Sequence, residues 1–212
     1  MKRQSKIENR KSKIGITGGI ATGKSAVTER LRQLGAITFS ADEAARAILN
    51  PGGAALKEIE SVFGKEYILP DGSLDRKMLG ERVFNDPAAR QRLESITHPL
   101  ILRLLRAQME AVQIDFPPGT VLAVEVPLLF EKNLSSWFER IITVVTSQPV
   151  QVSRLCSRQK CSEYEARLRI SSQMNLEEKA KRADYVIENN GTLAELYSAV
   201  DSLWDRFHLA PA

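Results

Sequence analysis

A parallel α/β sheet flanked by helices, with a long helical insertion, is the fold class this 212-residue chain predicts. Three observations carry it. Apolar runs at residues 13–17, 36–39, 121–126, 140–145 and 185–187 have the length and near-continuous hydrophobicity of buried parallel strands. Helical patterns separate them, and that alternation builds a parallel sheet. Between about 51 and 116 the strand signal vanishes and helical spacing replaces it.

Along the chain, the run at 13–17 leads directly into the octapeptide GGIATGKS (18–25). From about Lys24 the spacing turns helical, with Val27, Leu31 and Leu34 on one face and Gly35 placed to end the helix. A strand at 36–39 and a helix over 41–49 follow, the latter stopped by Asn50-Pro51-Gly52-Gly53. Inside the insertion Leu56, Ile59, Val62 and Phe63 share a helical face, Leu69-Pro70-Asp71-Gly72 is a turn, and 74–84 is helical again. Asn85-Asp86-Pro87 offers a cap with proline in the first turn. The helical pattern then runs to about Ile114, and His98-Pro99 in its middle predicts a break or kink. Phe116-Pro117-Pro118-Gly119 closes the insertion. After the strands at 121–126 and 140–145 come helices across 148–181, the strand at 185–187, the turn Asn189-Asn190-Gly191 and an amphipathic helix over 193–207.

Composition narrows the function classes. The net charge is +4, but residues 1–13 alone hold six basic residues against Glu8, a balance of +5, so the remainder is near neutral at −1. Residues 1–12 therefore read as a basic, disordered tail, and the body lacks the clustered charge of a nucleic-acid face. No apolar run approaches the ~18 residues of a membrane span, and the N-terminus lacks the apolar stretch of a secretory signal. Cys156 and Cys161 have neither zinc-type spacing nor a second pair, which points to reduced thiols in a cytoplasmic protein. Two histidines, His98 and His208, are too few for multi-histidine metal chemistry. Oligomeric state leaves no mark in the sequence.

GGIATGKS fits G-x-x-x-x-G-K-[ST] in the strand–loop–helix context that gives the motif its meaning. Gly18, Gly19 and Gly23 permit backbone that wraps an anion, and the amides of Ile20, Ala21 and Thr22 help form the nest. The helix N-terminus adds its positive end. Lys24 can reach the β- and γ-phosphates of ATP, and Ser25 can ligate Mg²⁺. The expected architecture is thus a P-loop NTPase-type sheet. No N-K-x-D guanine-reading string occurs, which leaves small-molecule kinases ahead of GTPases.

A kinase needs an acceptor side. Asp42 follows the second strand, and an adjacent pair of strands would set it beside the phosphate loop, where a carboxylate can take a hydroxyl proton. Capping the next helix is the alternative use. Glu125 ends a buried strand; it is either an acid holding Mg²⁺ through water or a rim carboxylate. Arg154 and Arg158, four apart, share a helix face that either closes over a transferring phosphoryl group or faces solvent.

The order of TGGIATGKS, SADEAAR (40–46), HPLI (98–101), EVPLLFE (125–131) and ADYVIENNG (183–191) resembles the dephospho-CoA kinase family, from about Lys13 to Trp204. The resemblance implies ATP-dependent phosphorylation of the 3′-hydroxyl of dephospho-CoA, with Mg²⁺ and without nucleic acid or membrane. It implies a nucleotide-binding core at 13–50, 117–147 and 183–208, a CoA-binding insertion at 51–116 and a lid at 148–182. Asp42 then matches the catalytic aspartate and Arg46 a substrate-side arginine; Arg76, His98, Pro127 and Leu128 match substrate-site positions. Arg154 and Arg158 match lid arginines, and Asn190 lies in a loop near adenine. Arg167, Arg169, Lys179, Lys181 and Arg182 are expected to thicken the positive field of the lid. Ser40 departs from the family, which often has aspartate there, and Gln159-Lys160-Cys161 departs at the lid turn.

Overall fold

In a computed structural model of the chain, residues 12–117 and 119–209 are described; the expected tail at 1–12 lies, apart from Ser12, outside them. Five strands, β1 (Ser12–Gly18), β2 (Ile37–Ser40), β3 (Val121–Glu125), β4 (Arg140–Val145) and β5 (Tyr185–Glu188), form a parallel sheet in the order β2-β3-β1-β4-β5. β1 sits at the centre because both of its faces and both of its edges are covered. Ile14 and Ile16 are wholly buried, and β1 pairs with β3 (Ile16 opposite Glu125) and with β4 (Gly18 opposite Val144).

The expected neighbourhood of β1 and β2 is corrected here. The connection from β1 through α1 (Lys24–Gln33) crosses over a strand position that the chain fills only later, with β3. The strand order reverses at β1, which has β3 on one side and β4 on the other, and the crevice at the carboxyl ends of such strands is where ligands bind.

The chain divides into two units. The first comprises the described parts of Met1–Phe39 and Val112–Ala212. Its core joins Ile14, Ile16, Ala123, Ile142 and Val144 of the sheet to Val27 and Leu31 of α1 and to Leu196, Val200 and Leu203 of α9 (Leu193–Leu209). Burying large aliphatic side chains stabilises by about 1.5–3 kcal/mol each, so this cluster dominates the unit. Helices α6 (Gln148–Gln159), α7 (Glu163–Ser171) and α8 (Leu176–Arg182) lie between β4 and β5 in the chain.

The second unit is Ser40–Ala111. It contains α2 (Ala41–Ile48), α3 (Leu56–Phe63), a 3-10 turn at Lys65–Tyr67, α4 (Arg76–Asn85) and most of α5 (Pro87–Asp115). Ile48, Leu56, Ile59, Leu74, Leu79 and Ile96 form its core. The turn at Leu69–Gly72 closes a single antiparallel bridge, Ile68 to Leu74. Of the break or kink expected at Pro99, the break does not occur: α5 runs through it. Proline removes one donor, but Ile96, Leu100, Ile101 and Leu104 anchor the helix to the core on both sides of it.

Candidate active site

The phosphate loop begins where β1 ends. Gly18 (φ 145°) and Gly23 (φ 97°, the residue before α1) hold backbone angles that side chains resist; a Cβ on Gly23 would run into Asn189 Nδ2, and one on Gly18 into the Val144 carbonyl. Thr22, fully buried, donates its hydroxyl to the Gly19 carbonyl at 3.0 Å. Lys24 turns back over the loop and donates to the carbonyls of Gly19 (2.7 Å) and Gly18 (3.3 Å). Asn189, just after β5, donates to the Thr22 carbonyl at 2.8 Å.

Beside the loop, Ser25 Oγ donates to Glu125 Oε1 (3.1 Å) and Thr28 Oγ1 donates to Glu125 Oε2 (3.2 Å). The register of β1 with β3 sets this contact, because it brings the last residue of β3 level with Ile16. Glu125 is buried, so the rim reading is overturned. The donor set is hydroxyl and carboxylate oxygen, which suits a hard cation such as Mg²⁺. Among the described residues no group of three or more His, Cys, Asp or Glu could cage a metal.

Arg154, on α6, reaches towards the same loop. Its Nη2 is 3.5 Å from Asn189 Oδ1, while its Nη1 is buried with no hydrogen-bond partner. A buried guanidinium nitrogen left unsatisfied is costly, and an anion entering the loop would satisfy it. Arg158, one turn further on, is exposed and makes no ion pair among the described residues. Asn190 is already engaged: its Oδ1 accepts from Thr146 Oγ1 and Ser147 N–H, both at 2.8 Å. Lys179 does not join a positive field. It is fully buried, paired with Glu131 Oε1 (2.8 Å), and donates to the Pro127 carbonyl (2.8 Å). Thr17 Oγ1 donates to that carbonyl as well, at 3.1 Å, so Pro127 serves through its backbone. Leu128 beside it is half-buried. Cys156 and Cys161 are free thiols, and partial desolvation pushes the Cys156 thiol up.

Asp42, Arg46, Arg76 and His98 belong to the second unit. The capping alternative for Asp42 is overturned: Ser40 is the N-cap of α2 and accepts from the Asp42 N–H at 3.2 Å. Ser40 thus has a structural task that serine performs as well as aspartate. The Asp42 carboxylate is exposed and pairs with no base among the described residues. Arg46 follows one turn later on α2, also exposed. Arg76 opens α4, its Nη2 3.4 Å from Asn50 Oδ1. His98 is half-buried on α5, next to Pro99.

The motif reading missed three polar residues around the loop: Thr28, which holds Glu125, and Gln151 and Gln173, which bond Ile20. Asn189 was read only as part of the Asn189-Asn190-Gly191 turn, without its bond to the Thr22 carbonyl. Gln151, three residues before Arg154, sits among buried α6 positions, and a glutamine there was the one available signal.

A glycine loop between a central parallel strand and its helix, with a lysine, a serine and a buried acid from the neighbouring strand, defines a P-loop nucleotide-binding protein. Residues 12–195 match the family model described as dephospho-CoA kinase. The chain belongs to that family. A dephospho-CoA kinase of Geobacillus kaustophilus is 43% identical over 182 residues, 86% of this chain and 90% of the relative. The solved structure of TT1252 from Thermus thermophilus superposes with a TM-score of 0.75 at 33% identity, covering 96% of this chain and all of that one. The dephospho-CoA kinase from Campylobacter jejuni gives a TM-score of 0.65 at 32% identity, over 93% and 97% of the two chains. Among the described residues, no helix is long and apolar enough to cross a membrane.

Proposed function

We propose that the protein transfers the γ-phosphoryl group of ATP to the 3′-hydroxyl of the ribose of dephospho-CoA, giving CoA and ADP, in the cytoplasm. One observation supports it above the others. Arg154, one of whose buried nitrogens has no hydrogen-bond partner, meets Asn189, which itself holds the phosphate loop at the Thr22 carbonyl. That is a site prepared for an anion inside a fold shared with the family. Residues 13–50, 117–147 and 183–208 act as the nucleotide core, 51–116 as the CoA-binding insertion and 148–182 as the lid.

In this reading Lys24 exchanges its internal partners for phosphate oxygens, and the loop amides other than that of Ile20, which Gln173 holds, join it. Ser25 and, through water, Glu125 would hold Mg²⁺, which when bound neutralises charge on the β- and γ-phosphates. Asp42 accepts the proton of the 3′-hydroxyl as its oxygen bonds to the γ-phosphorus and the bond to the β-phosphate oxygen breaks. Arg154 and Arg158 hold the charge spread over the transferring oxygens. Arg46, Arg76, His98, Pro127 and Leu128 line the acceptor, and Asn190 lies near adenine.

ADP release from purified protein with Mg²⁺-ATP tests this, using dephospho-CoA, adenosine and nucleoside monophosphates as acceptors. Turnover is expected with dephospho-CoA alone, with CoA as product. Asp42→Asn should bind both substrates and lose about 10²–10⁴-fold in kcat. Turnover with another acceptor, or a fully active Asp42→Asn, would sink the corresponding part.

A further inference from the structure

We propose that Gln151 and Gln173 are positioning residues for the phosphate loop, clasping the two ends of Ile20 so that the loop keeps the shape that receives ATP. The Ile20 N–H donates to Gln173 Oε1 at 2.8 Å, and Gln151 Nε2 donates to the Ile20 carbonyl at 2.7 Å. Both bonds are short for neutral amides. Neither orientation is ambiguous, since an N–H needs an acceptor and a carbonyl a donor.

The clasp explains two features of the loop. Ala21, the next residue, holds φ at 59°, an angle that a side chain tolerates only where the surroundings impose it. A Cβ on Gly19 would stand 2.7 Å from Gln151 Nε2, so a side chain there would push that amide off the Ile20 carbonyl. The side chains of Ile20 and Ala21 also pack on Val152, Leu155 and Ala166, so an apolar contact supports the polar one.

Each glutamine is itself fixed. Gln151 is 2% exposed on α6, three residues before Arg154. Gln173 precedes Met174, whose N–H donates to Glu131 Oε1 (3.1 Å), the oxygen that Lys179 also holds. The loop's shape is therefore tied to α6 and to the segment leading into α8. The requirement differs at the two positions. Residue 173 needs only an acceptor, so glutamate can replace it; residue 151 needs a donor, and glutamate cannot.

This rests on the reading that the loop holds ATP, and the test separates the two. In the full chain, hydrogen exchange at the Ile20 amide is measured without nucleotide, and affinity for a non-hydrolysable ATP analogue by calorimetry. The variants are Gln173→Met, Gln173→Glu and Gln151→Glu. Ile20 exchange should quicken about tenfold or more in Gln173→Met and stay within about threefold of the unaltered protein in Gln173→Glu. Analogue affinity should fall about tenfold in Gln173→Met and Gln151→Glu, with KM for dephospho-CoA within about twofold. Unchanged Ile20 exchange in Gln173→Met overturns the proposal. So does a joint loss of both substrates with a lowered melting temperature, which would mark a merely structural role. Gln173 is half-buried, so its two variants decide the matter even if Gln151→Glu does not fold. An unaltered protein that ignores the analogue refutes the function, while the exchange data still judge the clasp.

Discussion

Lys179 carries its charge into the interior of the first unit, fully shielded from solvent, where Glu131 and the Pro127 carbonyl receive it. Removing one member of such a pair strands the other. Glu131 Oε2 already lacks a partner, and Lys179→Met would leave its Oε1 with only the Met174 N–H. We expect a loss of about 3–5 kcal/mol in urea unfolding, with much of it recovered when Glu131→Gln is added. The same residue marks what could be read from the sequence. The phosphate loop was legible because its glycines, lysine and serine answer a local backbone need. Lys179 looked like one more surface base, since its partner lies 48 positions away and nothing local announces a buried charge. The roles of Gln151, Gln173 and Asn189 were hidden for a similar reason: each acts through one hydrogen bond to a peptide distant in the chain.

Helix α1 starts at the phosphate loop and is braced along its length by α9. Arg30 Nε and Nη2 donate to the two carboxylate oxygens of Asp201, each at 2.7 Å. This hydrogen-bonded guanidinium holds the Asp201 carboxyl below the usual carboxylate range. A carboxyl lowered by folding stabilises fully above its unfolded pKa, and that contribution fades as pH falls through the folded value. Asp201→Asn should therefore lower the melting temperature by about 1–3 °C at pH 7, as befits a half-exposed pair. The deficit should shrink below about pH 4 and vanish once the native carboxyl is protonated. A deficit independent of pH would assign the effect to packing. Element types and order were legible from periodicity, with ends displaced by a residue or two. Strand order was not, because β3 enters between β2 and β1 by a pairing that no local pattern encodes. Nor was the continuity of α5 through Pro99, which the core contacts on either side decide.

For the molecule as a whole, nucleotide and stability are linked. A ligand that binds only the folded chain adds RT ln(1 + [L]/Kd), about 2.7 kcal/mol at a hundredfold excess over Kd. A non-hydrolysable ATP analogue with Mg²⁺ should raise the melting temperature by several degrees, and the gain should shrink in Arg154→Met. An analogue that leaves the transition where it was would mean the buried nitrogen of Arg154 awaits something other than a nucleotide. The sheet order also governs how the chain is made. β1 leaves the ribosome first, yet Ser12 pairs with Val121 and Ile14 with Arg140. At ordinary synthesis rates the strand at the heart of the sheet waits roughly 5–20 s for its neighbours. During that interval its apolar run has no sheet to join and is a natural client for a chaperone. The phosphate loop that follows it can acquire its shape only after the residues that hold it, Gln151, Gln173 and Asn189, have emerged.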